Sequence, residues 1–232
     1  MKAILWDMDG TLVDTEPLWG EATYTMCREM GRELTPEIRD RTVGGIAEDT
    51  VRVCADWAGV RLAPGDLEYW IDMLYTTVSG NFSHGLPFRP GIPALLSEGA
   101  AELPMMVVTN TYRRLTDTAL SSIGAGFFRA SVCGDEVDSG KPAPDPYLTA
   151  CDMLGYAPDD CLVVEDSTNG MRSAVSAGCR VLGVPSPGNP VPPGAVTVSA
   201  LLPGHDSLAG LSLADLRELW GRIGARAADV RQ

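Results

Sequence analysis

Five short, nearly uninterrupted apolar runs constrain this chain more than any other feature. They are residues 3–7 (Ala-Ile-Leu-Trp-Asp), 104–109, 130–133, 161–165 and 180–184. A strand with one wet face alternates polar and apolar residues. A run that is apolar throughout belongs in a parallel sheet covered on both faces. Helical patterns separate the runs, at roughly 91–102, 112–123, 144–154 and 168–178. A short strand near 196–198 and a helix near 213–228 complete the series. Strand and helix in alternation predict an α/β fold with a doubly wound parallel sheet.

The stretch from Glu16 to Phe88 breaks this rhythm. It has no strand pattern and reads as helices near 17–30, 36–42, 47–58 and 65–80. Pro36 and Pro64 stand where helix starts tolerate proline, and Gly31 and Gly59 where helices stop. The expected organisation is an α/β core of residues 1–14 and 90–232, with a helical cap at 15–89. Two linkers side by side, 13–16 and 86–91, would form a hinge. Trp57, Tyr69, Trp70 and Tyr75 recur at helical spacing and are expected in the cap's core.

The net charge of −13 argues against a nucleic-acid partner, which needs a basic face. No stretch approaches the roughly 20 apolar residues of a membrane span, and no targeting segment is read at the N-terminus. The six cysteines form no C-x-x-C pair. Reduced thiols and a cytoplasmic location are expected, and nothing in the sequence demands more than a monomer. The chain has only two histidines, His84 and His205, which leaves a phosphohistidine mechanism without support. His84 reads as a solvated loop residue. Lysine is scarce, at positions 2 and 141 only, against 16 arginines. Lys141 sits in Asp138-Ser139-Gly140-Lys141-Pro142, a string with neither helix nor strand character.

Sites in parallel α/β sheets form where the strands end. The polar residues that follow the apolar runs are Asp7 and Asp9, then Thr109 and Asn110, then Lys141, then Glu165 and Asp166. Singly, each has a structural explanation: turn formation, helix capping or a solvated loop. Gathered together, four carboxylates would repel one another unless a cation joined them. Oxygen ligands beside a phosphate favour Mg²⁺. Thr109, the Asn110 backbone and Lys141 could then hold phosphate oxygens.

The string Asp7-Met8-Asp9-Gly10-Thr11-Leu12-Val13-Asp14 resembles the first motif of the haloacid dehalogenase-like hydrolase superfamily. Thr109-Asn110, Lys141-Pro142 and Val164-Glu165-Asp166-Ser167 are similar to its other three motifs. The resemblance covers nearly the whole chain, helical cap included, and implies a Rossmann-like core. It implies that Asp7 attacks phosphorus and that Asp9 protonates the leaving oxygen, then activates water. It also implies Mg²⁺ held by Asp7, the Asp9 carbonyl and Asp166, with Glu165 near, and a phosphoryl group held by Thr109 and Lys141. The substrate is expected to be a small phosphorylated metabolite, a sugar or polyol phosphate.

Within the superfamily, Asp9 separates this chain from dehalogenases and phosphonatases, which lack that acid. Mutases of the β-phosphoglucomutase type carry a histidine after the first motif and a cap arginine. Here those places hold Trp19 and Ala47. A catalytically silent binding or regulatory protein is the rival from another class, although none of the four motifs is degraded. Glu16, Trp19, Gly44 and Gly45 are the cap residues expected to select the substrate.

Overall fold

The computed structural model describes residues 1–43, 45–82, 85–186 and 188–229; Gly44 and His84, singled out above, lie outside them. Strand β1 (Ala3–Trp6) is followed by four helices, α1 (Glu16–Glu29), α2 (Pro36–Asp40), α3 (Ala47–Ala58) and α4 (Asp66–Phe82). Then come α5 (Ile92–Glu102), β2 (Met105–Val108), α6 (Arg113–Ile123) and β3 (Ala130–Val132). The chain continues through α7 (Asp145–Leu154), β4 (Cys161–Glu165), α8 (Thr168–Ala177), β5 (Arg180–Gly183) and β6 (Ala195–Thr197). It ends with α9 (Val198–Leu201) and α10 (Leu213–Asp229).

The six strands form one sheet in the order β3-β2-β1-β4-β5-β6, every pairing parallel. Successive residues point to opposite faces. Ile4, Trp6, Met105, Val107, Leu162 and Val164 enter one apolar cluster. Ala3, Leu5, Met106, Val108, Cys161 and Val163 enter the other. Both faces are therefore covered, which is why these strands read as continuous apolar runs. The winding reverses between β1 and β4, and at such a switch point a crevice opens beyond the strand ends.

Helices α1, α3 and α4 pack on one another. Buried Met26, Val51, Leu74 and Val78 join them. In α4 the buried stripe is Ile71, Leu74, Tyr75 and Val78, a helical i, i+3, i+4, i+7 set. Tyr69 falls off that stripe and is 62% exposed, so the expectation that it packs in the core is corrected; it lies edge-on to Trp70. The two connections to the insert run side by side. Val13 bridges Phe88, Asp14 N–H donates to Pro87 O at 2.8 Å, and Arg89 N–H to Leu12 O at 3.0 Å. All six cysteines are buried free thiols. Among the described residues, no helix is long and apolar enough to cross a membrane.

Candidate active site

Register decides which acids meet. Trp6 pairs with Val164, so the next residues along, Asp7 and Glu165, emerge as neighbours at the switch point. Lys141 reaches both from the loop beyond β3. Its Nζ donates to Asp7 Oδ1 at 2.7 Å, to Glu165 Oε1 at 2.6 Å and to Val108 O at 2.8 Å. An ammonium has three donors, and all three are taken by protein acceptors. The Asn110 side chain fixes the lysine's backbone. Its Oδ1 accepts from Lys141 N–H at 2.8 Å and its Nδ2 donates to Lys141 O at 3.1 Å.

Burial drives the electrostatics. Asp7 is pushed well above the carboxylate range, chiefly by desolvation and then by Glu165, with Lys141 opposing. Asp166 is pushed up to about 7 by burial first and Glu165 next; the Ser186 hydroxyl opposes. Burial alone would discharge Lys141, but Asp7 and Glu165 together raise its pKa above the usual lysine value. Like charges this close cost free energy until an opposite charge joins them.

The residues fit a divalent cation. Asp7, Glu165 and Asp166 each offer an oxygen, and these oxygens lie within 4.8 Å of one another. Asp7 Oδ2 is buried and has no hydrogen-bond partner. A buried orphan carboxylate oxygen beside two other carboxylates is the donor set of a hard cation. Gly10 makes the approach possible. Its φ is +84°, and a Cβ there would stand 2.5 Å from Asp166 Oδ2. Asp166 is steadied by Thr11 Oγ1 at 3.3 Å and Ser186 Oγ at 2.7 Å.

Glu165 has a different situation from the other two acids. It is fully buried. Its Oε1 accepts from Lys141 and from Tyr147 O–H at 2.9 Å. Its Oε2 accepts from Ser167 N–H at 3.2 Å and Ser167 O–H at 3.1 Å. Both oxygens are held by protein donors. Helix α8 lies against this carboxylate at Gly170, where a Cβ would collide with it.

Asp9 is held by four donors. Thr15 Oγ1 stands 2.6 Å and Trp19 Nε1 2.9 Å from its Oδ1. Thr111 Oγ1 stands 2.8 Å and Thr109 Oγ1 3.5 Å from its Oδ2. The carboxylate therefore sits fixed at the mouth of the site, tied to both the core and α1.

Asp7, Asp9, Thr109, Asn110, Lys141 and Asp166 line a single cavity with Glu16, Trp19 and Gly45 of the insert. Its volume is roughly 120 Å³. Glu165 stands behind this wall. Sequence reasoning gave Thr15 no contact with Asp9 and passed over Thr111, Tyr147, Gly170, Ser186 and the buried Arg39. Only Gly170 carried a signal. A glycine inside a helix costs about 1 kcal/mol against alanine and asks for a packing reason.

A strand-end aspartate, a buried lysine and two further acids at the switch point of a doubly wound sheet define a class of hydrolase. The chain belongs to the haloacid dehalogenase-like hydrolase family, whose model matches residues 4–184. It is 30% identical over 187 residues to the phosphorylated carbohydrates phosphatase of Thermotoga maritima, covering 79% of this chain and 85% of the relative. It is 32% identical over 191 residues to hexitol phosphatase A of Escherichia coli, covering 80% and 84%. It is also similar to the crystal structure of CbbY from Rhodobacter sphaeroides in complex with phosphate. That match has a TM-score of 0.78 at 27% identity and covers 94% of this chain and 99% of the other.

Proposed function

We propose that this protein is a Mg²⁺-dependent phosphatase acting on a small phosphorylated metabolite through an aspartyl-phosphate on Asp7. One observation carries the proposal. Asp7 is buried against Lys141, has one unpartnered oxygen, and lies two residues before a carboxylate held at the cavity mouth. The names of the relatives, a phosphorylated carbohydrates phosphatase and a hexitol phosphatase, support a phosphorylated sugar or polyol as substrate.

Asp7 and Asp166 would hold the cation directly, helped by the Asp9 carbonyl. Glu165 would orient Lys141, since its own oxygens are engaged. When bound, Mg²⁺ supplies positive charge that offsets the carboxylates and the phosphoryl oxygens. Asp7 attacks phosphorus, and the bond from phosphorus to the leaving oxygen breaks. Asp9 gives its proton to that oxygen. Water then attacks the aspartyl-phosphate and yields a proton to Asp9. The bond from phosphorus to Asp7 breaks and inorganic phosphate leaves. Lys141 opposes the protonation that burial favours on Asp7, and its charge faces the phosphoryl group. Thr109 offers a hydroxyl at the same edge.

Residues 15–89 would act as a cap hinged on the paired linkers, closing to exclude bulk water. The mutase alternative is disfavoured by Trp19, whose indole meets Asp9, and by Ala47, which lines the cavity where a cap arginine would be needed. Phosphate release from p-nitrophenyl phosphate tests the proposal. Release should need Mg²⁺, stop with a chelator, and vanish in Asp7→Asn. No release from that ester or from a broad panel of phosphorylated metabolites would favour a silent binding protein. Glucose 6-phosphate formed from β-glucose 1-phosphate would favour a mutase.

A further inference from the structure

The insert's side of the cavity carries a charge that the phosphoryl chemistry does not use. Arg39 on α2 is 8% exposed and lines the cavity. Its guanidinium pairs with Glu16 Oε1 and donates to Thr42 Oγ1 at 2.8 Å. Gly20 on α1 lies beside it; a Cβ there would be in ordinary van der Waals contact with Nε at 3.7 Å. Glu16 begins α1 and shares a helix face with Trp19, Gly20 and Thr23, at i+3, i+4 and i+7.

The hydroxyls on this wall are oriented. Thr23 donates to Trp19 O at 2.7 Å, Thr42 to Arg39 O at 2.8 Å and Thr50 to Ile46 O at 3.3 Å. Each proton is committed to the backbone, so these oxygens offer lone pairs only. Glu16 adds a carboxylate that is 48% exposed. The wall is thus rich in acceptors. Its only cation among the described lining residues is already neutralised by Glu16. The other cation of the cavity, Lys141, is engaged by Asp7 and Glu165.

Resting on the phosphatase reading above, we propose that Glu16, Arg39 and the threonines form a leaving-group subsite for uncharged polyhydroxylated esters, one that rejects a second anionic group. Substrate hydroxyl groups would donate to these acceptors. A second phosphate or a carboxylate would face Glu16 and could reach the charge of Arg39 only by displacing it. Like charges brought together in a site oppose binding. Trp19 and Tyr75, in edge contact at 5.8 Å, give the subsite an apolar flank for the carbon skeleton.

The test compares kcat/KM for a hexitol 6-phosphate, a hexose 1,6-bisphosphate, phosphoglycolate and phosphoethanolamine, with p-nitrophenyl phosphate as the common reference ester. It is run on the natural chain, Glu16→Gln and Thr42→Val, each checked for its fold by circular dichroism. The natural chain should favour the hexitol ester over the bisphosphate and phosphoglycolate by tenfold or more, on the order of one unfavourable charge contact. Glu16→Gln should bring those ratios close to one, because it frees Arg39. Thr42→Val should shift them the same way by a smaller factor. A bisphosphate, phosphoglycolate or phosphoethanolamine preferred by the natural chain overturns the subsite while leaving the phosphatase standing. So do ratios unchanged in Glu16→Gln. No phosphate from any ester, the reference included, overturns the phosphatase reading and the subsite with it.

Discussion

Trp19 Nε1 stands 2.9 Å from Asp9 Oδ1, so a helix of the insert holds the acid that stands at the mouth of the core's cavity. The indole can only donate, and it shares that oxygen with Thr15. Trp19→Phe keeps the ring and removes the donor. Loss of a hydrogen bond to a charged group is worth about 1.5–3 kcal/mol, but three other donors remain on Asp9. We expect kcat to fall roughly tenfold, at the low end of that range, with KM little changed. Steady-state kinetics on p-nitrophenyl phosphate measures both.

Lys141 is the counter-ion of two buried acids. Removing one partner of a buried pair leaves an uncompensated charge and costs about 3–5 kcal/mol. Lys141→Ala should therefore lower the melting temperature of the metal-free protein by roughly 10 °C, and Mg²⁺ should recover part of it. Turnover should vanish. Differential scanning calorimetry with and without Mg²⁺ checks the first two outcomes.

Asp166 gives the site a pH dependence with a definite sign. Its native pKa, about 7, lies above its ordinary value of 3.8. Over that window the folded metal-free protein binds more protons than the unfolded chain. This contribution to stability is present below about pH 4 and is lost as pH rises through about 7. The same proton competes with the cation, so Mg²⁺ affinity should weaken up to tenfold per pH unit below about 7. Calorimetric titration at pH 6 and pH 8 measures it. Asp166→Asn should flatten the stability profile of the metal-free protein.

Gly170 lies on α8 against the Glu165 carboxylate. Alanine there would favour the helix by about 1 kcal/mol on propensity alone. Its methyl would collide with Glu165, and overpacking costs about 1–3 kcal/mol or more. Gly170→Ala should be net destabilising in urea unfolding and should lower kcat, through displacement of Glu165 and Lys141. A more stable, fully active variant would contradict this geometry.

Tyr112, just beyond β2, donates its hydroxyl to Glu48 on α3 and meets Tyr75 edge-on at 5.3 Å. The other Glu48 oxygen is buried without a partner. Tyr112→Phe leaves the whole carboxylate unsatisfied and should cost about 1–3 kcal/mol. Adding Glu48→Leu should restore part of that loss, because both polar partners are then gone. A double-mutant cycle by urea unfolding gives the coupling.

The strands were legible because a sheet covered on both faces leaves an apolar mark on every residue. The insert was legible because helical spacing replaced that mark from Glu16 onward. The strand-end acids were legible because chain order and strand ends together name the crevice. Tyr69 was misplaced because spacing gives a helix its period but does not say which face meets a neighbour. Tyr147, Thr111 and Ser186 left no mark, since a hydroxyl that holds a distant carboxylate has the same local sequence as one that does not.

Local patterning was enough to name the α/β order, the helical stretch after β1, and Asp7, Asp9, Glu165, Asp166 and Lys141 as candidates at the strand ends. Local periodicity and residue chemistry are properties of neighbours along the chain. Packing in three dimensions is what locks Glu165 among protein donors, sets Trp19 against Asp9, and pairs Glu16 with Arg39 in the cavity wall. Apart from the neighbouring Ser167, the partners in these relationships stand 10 to 24 positions apart and meet through strand register and helix packing, which no local pattern encodes.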